Sequence, residues 1–452
     1  MKKILLFFIP LLLFAQGPDE NYKISANSFI LDKNNLSFQE GFYLEHSFGK
    51  IYANSADFSN FKKEKTFDFK LKNGVKLITN TEGILLSDNA DFDSSSQKIK
   101  FYSKEYVSYT DKIKGKDLYI KSSEVICHLD TKKCLKNIKL QDLYSITFYK
   151  DVAITLENKL KIFSEKAILK KTENNSSIYL FPHKNEFCIF TYEDNAAVAT
   201  SAKLDLKTLD LILQNPSGTI RNMFKKNTIF CFSSDKLFWQ NFENALLLKG
   251  NVKIIDSEFG TIDSEEIEII KKFKENNLKK IIARKNSSLN FFAKNKGKLT
   301  SKGVLEIDHE KKIISAFNIK NQNEDLIYED PNVFITSKKA KSSYDSDNNI
   351  QDIILENDVH FIYKKDNNSI GYGIADKIEY FPNEHRIKLL SYENKKVLFW
   401  QADNSIRLSA KEIIINQKEK NDIKGIGDVR FAFNLEEENL IHEIFSKYLN
   451  YE

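Results

Sequence analysis

From about residue 22 to 433 the chain reads as short runs of roughly four to eight residues in which apolar and polar positions alternate. Asn, Asp, Lys or Gly punctuate the runs. Alternation with a period of two places apolar side chains on one face of a half-buried strand, and Phe, Tyr and Ile enrichment suits such a pleated surface. With 6 prolines in 452 residues, few strands are interrupted. The pattern predicts an all-β chain. Helical spacing enters only at the end, where Leu440, Ile441, Ile444, Phe445 and Leu449 share a face. Asn434 suits the N-cap, and Glu436 to Glu438 lie in the first turn, where the helix dipole favours them. One C-terminal helix is expected over 434–452.

The strands repeat in a recognisable order. Gly250-Asn251-Val252-Lys253-Ile254 is followed by Gly260, then by Ser264-Glu265-Glu266-Ile267-Glu268-Ile269. Related orders begin at Asn73-Gly74-Val75, Asp151-Val152, Asp358-Val359, Val397-Leu398-Phe399 and Gly425-Ile426-Gly427-Asp428-Val429. The spacing varies, so the sequence reads as a loose array rather than a strict period. Such units cannot close a core singly; stacking them makes one apolar face continuous. The glycines suit turns or bulges. The small residues Ser87, Ala90, Ser264, Ala375, Ser409 and Ala410 suit places where two layers approach closely. The array divides into an N-terminal, divergent set over 22–235 and a C-terminal set over 236–433.

The chain opens with Lys2 and Lys3 and a run, Ile4–Ala15, that is apolar apart from Pro10. This is too short for a ~30 Å hydrocarbon core, which needs about 20 residues. It reads as a secretory signal peptide over 1–15, and it argues for an exported, periplasmic protein rather than one with an uncleaved anchor. The formal charge is +5, or +3 without Lys2 and Lys3 (5 − 2), with both signs interspersed. No basic stripe marks a nucleic-acid binder.

Catalytic chemistry finds little support, and no enzyme is expected. The 7 histidines are scattered, and none has metal-ligand spacing. His360, between Val359 and Phe361, should face solvent. Gly371-Tyr372-Gly373 and Gly425-Ile426-Gly427 lack the third glycine and following helix of a dinucleotide fingerprint, so turn or bulge is the expectation. Cys127 and Cys134 flank a polar stretch that looks like a hairpin turn. A disulfide across two strands and two separate buried thiols are both open. No cofactor or metal is implied.

At Gly250-Asn251-Val252 with Ser264-Glu265-Glu266-Ile267, and at Leu408-Ser409-Ala410-Lys411-Glu412-Ile413 with Gly427-Asp428-Val429, the chain resembles the OstA-like repeats of the LptA/LptC/LptD family. Ile335-Thr336-Ser337 with Asn357-Asp358-Val359 is similar. The match is good over about 240–433 and weaker over 40–170, while 171–235 departs from it. The resemblance implies an elongated open twisted β-jellyroll whose apolar groove holds lipopolysaccharide or lipooligosaccharide acyl chains on their way to the outer membrane. It also implies pairing with other Lpt-type proteins through edge strands, and end-to-end self-association.

On that reading the groove residues are those that alternation places inward: Val252, Ile254, Ile262, Val359, Phe361, Phe399, Ile406, Leu408, Ile413, Val429, Phe431 and Phe433. The same residues would equally pack a closed core, as in a structural or adhesive repeat protein of the cell envelope. Under 20 residues follow Phe433, too few for a transmembrane barrel like LptD's. If the C-terminal helix caps one open end, deleting 435–452 should promote end-to-end association. An oligomer size unchanged in light scattering would remove that idea.

Overall fold

The computed structural model describes residues 23–433, except 33–34, 47, 60–67, 94, 97, 130–143, 172–175, 222–227, 241–244, 258, 272–277, 292–295, 319–324, 366–367, 402–405 and 417–421. The expected signal peptide, the C-terminal helix and Cys134 lie outside the described residues. Within them the chain is nearly all antiparallel β, and the helical content is one 3-10 turn, Pro382–Glu384. The fold is jellyroll-like. No described helix is long and apolar enough to cross a membrane.

The chain forms two compact units. One comprises Met1–Gly218 with Leu237–Phe242, the other Thr219–Lys236 with Glu243–Glu452. Their internal strand pairings follow the same scheme. In the first, Gly49–Ser59 pairs with Asn35–His46 on one side and with Asp68–Lys72 and Val75–Thr79 on the other. In the second, Gly260–Lys271 pairs with Ala245–Asp256, then with Leu278–Arg284 and Ser287–Phe291. Further along, Leu160–Lys171 serves Tyr144–Leu156 against Ser176–Phe181 and Cys188–Tyr192. Asn368–Phe381 likewise serves Ile350–Lys365 against Arg386–Leu390 and Val397–Gln401. The long strand Lys98–Ile113 of the first unit is matched by two short ones, Ile313–Phe317 and Leu326–Glu329. The loose array expected from sequence is thus a strand-for-strand duplication. It extends into 176–221, whose short strands correspond to those of 386–433.

The Gly-Asn-Val step is a β-bulge. At Glu40-Gly41, Lys150-Asp151, Gly250-Asn251 and Asn357-Asp358 two consecutive residues take positive φ, and the ladder register shifts there. Asn, Asp and Gly tolerate that region best, which explains the composition of the step. The next residue turns inward: Phe42, Val152, Val252 and Val359 are all buried.

A second recurrent device supports these jogs. Ser87, Ser122, Ser164, Ser234, Ser264 and Ser337 each donate from Oγ to the backbone carbonyl two residues on, at 2.9 to 3.4 Å. A buried carbonyl left without a partner costs about 1–3 kcal/mol. The small residues therefore do more than let layers approach: five of these serines are buried and satisfy backbone at the kink. Ala90, Ala375 and Ala410 are buried as well.

Candidate functional site

The twelve inward candidates fall into separate groups. Ile254 faces Ile262 and Val252 faces Ser264 across one strand pair, and all three candidates are buried. Ile413 lies opposite Leu389 and Gly425 and is fully buried. Val359 is opposite Ala375. Ile406 is half-buried and opposite Phe433, whose side chain lies outside the described residues.

Four of the remaining five form one row. Phe361 pairs in register with Gly373, Gly373 with Phe399, Phe399 with Leu408, and Leu408 with Phe431. The rings of Phe361 and Phe399 stack with centroids 6.3 Å apart. Gly373 makes that possible, because a Cβ there would stand 2.3 Å from the Phe361 ring. This corrects the expectation of a turn or bulge at Gly373, which lies in the body of a strand. Gly371 does border a register shift, and its missing side chain admits the Phe399 ring. A glycine inside a strand often marks such a close approach.

Exposure rises along the row: Phe361 1%, Phe399 2%, Leu408 8%, Phe431 45%. The interior is dry at its centre and opens at its last strand, Arg430–Phe433. Val429 was expected on that strand, sharing the face of Phe431. It precedes the strand instead, after Gly427-Asp428 turn the chain with positive φ, and it is 47% exposed. Around this end lies a cleft of about 530 Å³, to which Phe399, Leu408 and Phe431 contribute with Leu398, Trp400, Arg407 and Arg430. It joins apolar walls to two cations.

Polar groups penetrate the interior at matched places. In the first unit Lys171, at the end of its strand, donates from Nζ to Asp111 and to Thr81 Oγ1 at 3.0 Å. The Tyr109 hydroxyl donates to the same carboxylate at 2.8 Å. The Lys171 and Asp111 side chains are only 10% and 5% exposed. In the second unit Tyr328 donates to Asp330 at 3.0 Å, and Asp330 also accepts from the backbone N–H groups of Asn332 and Val333. Burial, followed by the Asp330 charge, raises the Tyr328 phenol well above its ordinary range. Gly83 and Gly297 leave room for the two tyrosine hydroxyls. Sequence reasoning passed over this device, although Gly83 with Tyr109-Thr110-Asp111 and Gly297 with Tyr328-Glu329-Asp330 repeat the same residues.

Cys127 is a free, buried thiol, and burial pushes its pKa up to about 12. Its expected partner Cys134 is outside the described residues. His360 points to solvent beside Asp358, with Nε2 and Oδ1 3.3 Å apart. Among the described residues no group of three His, Cys, Asp or Glu side chains comes together to hold a metal ion.

No protein family's sequence profile matches the chain, and no curated protein matches it in sequence. Among solved structures, it is similar to LptH of Pseudomonas aeruginosa, the LptA-homologous periplasmic component of a lipopolysaccharide transport device. The identity is 9%, the TM-score 0.26, and the match covers 31% of this chain and 96% of LptH.

Proposed function

We propose that this chain is a non-catalytic periplasmic carrier or bridge that shields the acyl chains of a lipopolysaccharide-type lipid in its apolar β interior during transport to the outer membrane. The observation that supports it is the row from Phe361 to Phe431, apolar throughout and progressively open towards its last strand. An acyl chain following this row inward from Phe431 would lie along apolar side chains, and each methylene buried contributes ~0.8 kcal/mol. Other Lpt-type proteins would dock by strand addition. The strand Ser28–Asp32 pairs with Asn35–His46 and exposes Phe29, Ile30 and Leu31, a surface suited to such pairing.

A second reading, a structural envelope protein with a closed core, is favoured by the burial of Val252, Ile254, Ile262, Val359 and Ile413. A photocrosslinking side chain introduced at Phe431 or Phe361, with purified lipopolysaccharide, separates the two. The carrier reading expects an adduct at Phe431 and, with deeper insertion, at Phe361. No adduct at either position, while a known carrier gives one under the same conditions, leaves the closed core.

A further inference from the structure

The outward face of the same strands is poor in acidic side chains, as is its counterpart around Phe163 and Ile189 in the first unit. Elsewhere in the second unit outward positions carry interspersed charge, as where Lys253 faces Asp263, Lys280 pairs with Glu306 at 2.7 Å, and Arg284 pairs with Glu268 at 2.9 Å. Across the strands from Ile350–Lys365 to Arg430–Phe433, two neighbouring outward rows read differently. One runs Ile362, Tyr372, Trp400, Arg407, Ala432. The other runs His360, Ile374, Leu398, Ser409, Arg430. Neither row holds a carboxylate; Asp358 sits at the jog beside His360, and Asp428, ion-paired with Lys396, flanks Arg430. Tyr372 and Trp400 stack with centroids 5.8 Å apart and planes at 23°, and Leu398 is 46% exposed. Arg407 and Arg430 are both exposed.

We propose that this outward face docks the protein onto an anionic lipid bilayer. Trp and Tyr present an apolar body with a polar tip, the combination that settles at the headgroup boundary. Leu398 and Ile374 supply apolar area beside them, and the two arginines meet lipid phosphates. Charge complementarity decides the occupant. A second copy related by a two-fold would set Arg407 and Arg430 against the same arginines, whereas an anionic surface attracts them. The inference concerns the outer surface and stands whether the interior holds lipid or is closed.

The test is flotation of the full chain with vesicles at low salt. Phosphatidylethanolamine–phosphatidylglycerol vesicles are expected to carry it upward, and phosphatidylcholine vesicles to leave it behind. Each basic residue near an anionic surface contributes roughly fivefold in partitioning, so R407Q/R430Q should lose roughly thirtyfold. Lys253→Gln, on an outward face elsewhere, should partition like the parent. Circular dichroism of R407Q/R430Q checks that the variant is folded. The proposal is overturned if the parent chain does not float, if it floats equally with both vesicle types, or if R407Q/R430Q floats as well as the parent. The first of these results would assign the face to an acidic protein partner.

Discussion

Lys171→Met is expected to destabilise the first unit by about 3–5 kcal/mol, because it leaves Asp111 as a buried charge without its cation. The Tyr109 hydroxyl still donates to that carboxylate, but one neutral donor does not offset the loss of an ammonium. Replacing both partners, K171M with D111L, should recover most of the loss, since a well-packed apolar pair often matches a buried ion pair in stability. Urea denaturation read by circular dichroism gives the comparison. Hydrogen exchange over 98–129 localises it to the first unit. A single variant as stable as the parent would show that the pair is solvated, contrary to its burial.

The second large effect is expected at two equivalent glycines. Gly49 and Gly260 open counterpart strands of the two units, with φ of +144° and +146°. A Cβ would stand 2.1 Å from the Ile78 carbonyl oxygen in one case and 2.0 Å from that of Asn290 in the other. Both obstacles are backbone in a paired strand and cannot rotate away. Strain at such a φ costs of order 1–3 kcal/mol and overpacking about 1–3 more, so Gly49→Ala and Gly260→Ala should each lose roughly 2–6 kcal/mol. Gly74→Ala is the control. Its φ is also positive at +89°, but nothing lies within 4 Å of the added methyl, so only the conformational part should appear. Thermal denaturation in which all three behave alike would show that the close approach is not felt.

Much of the fold was legible because a period of two states directly which side chains turn inward. Val252, Ile254, Ile262, Val359 and Phe361 lie inward as alternation requires, and the Gly-Asn-Val step located the bulges that kink each long strand. What alternation cannot state is what covers an inward face. Phe399 and Phe431 share one row and one chemistry, yet one is sealed and the other open, because Phe399 has strands on both sides and Phe431 lies on the last strand of its row. Nor does local pattern reveal Lys171 meeting Asp111, partners 60 residues apart in sequence. The lysine reads as one more polar position at a strand end.

The strand-for-strand correspondence of the two units bears on how the chain folds. Tandem copies with identical pairing schemes are prone to misassembly, in which a strand of one copy takes its counterpart's place. Here Leu160–Lys171 and Asn368–Phe381 are counterparts, but the first ends in Lys171 and the second is followed by Pro382. Were the second to enter the first unit, Asp111 would be buried beside a proline ring, without its cation. The penalty of stranding that carboxylate sets the correct assembly apart from the exchanged one. The ion pair that looks dispensable for stability thus labels which strand belongs to which half, and nascent chains that lack it should populate more off-pathway species during refolding.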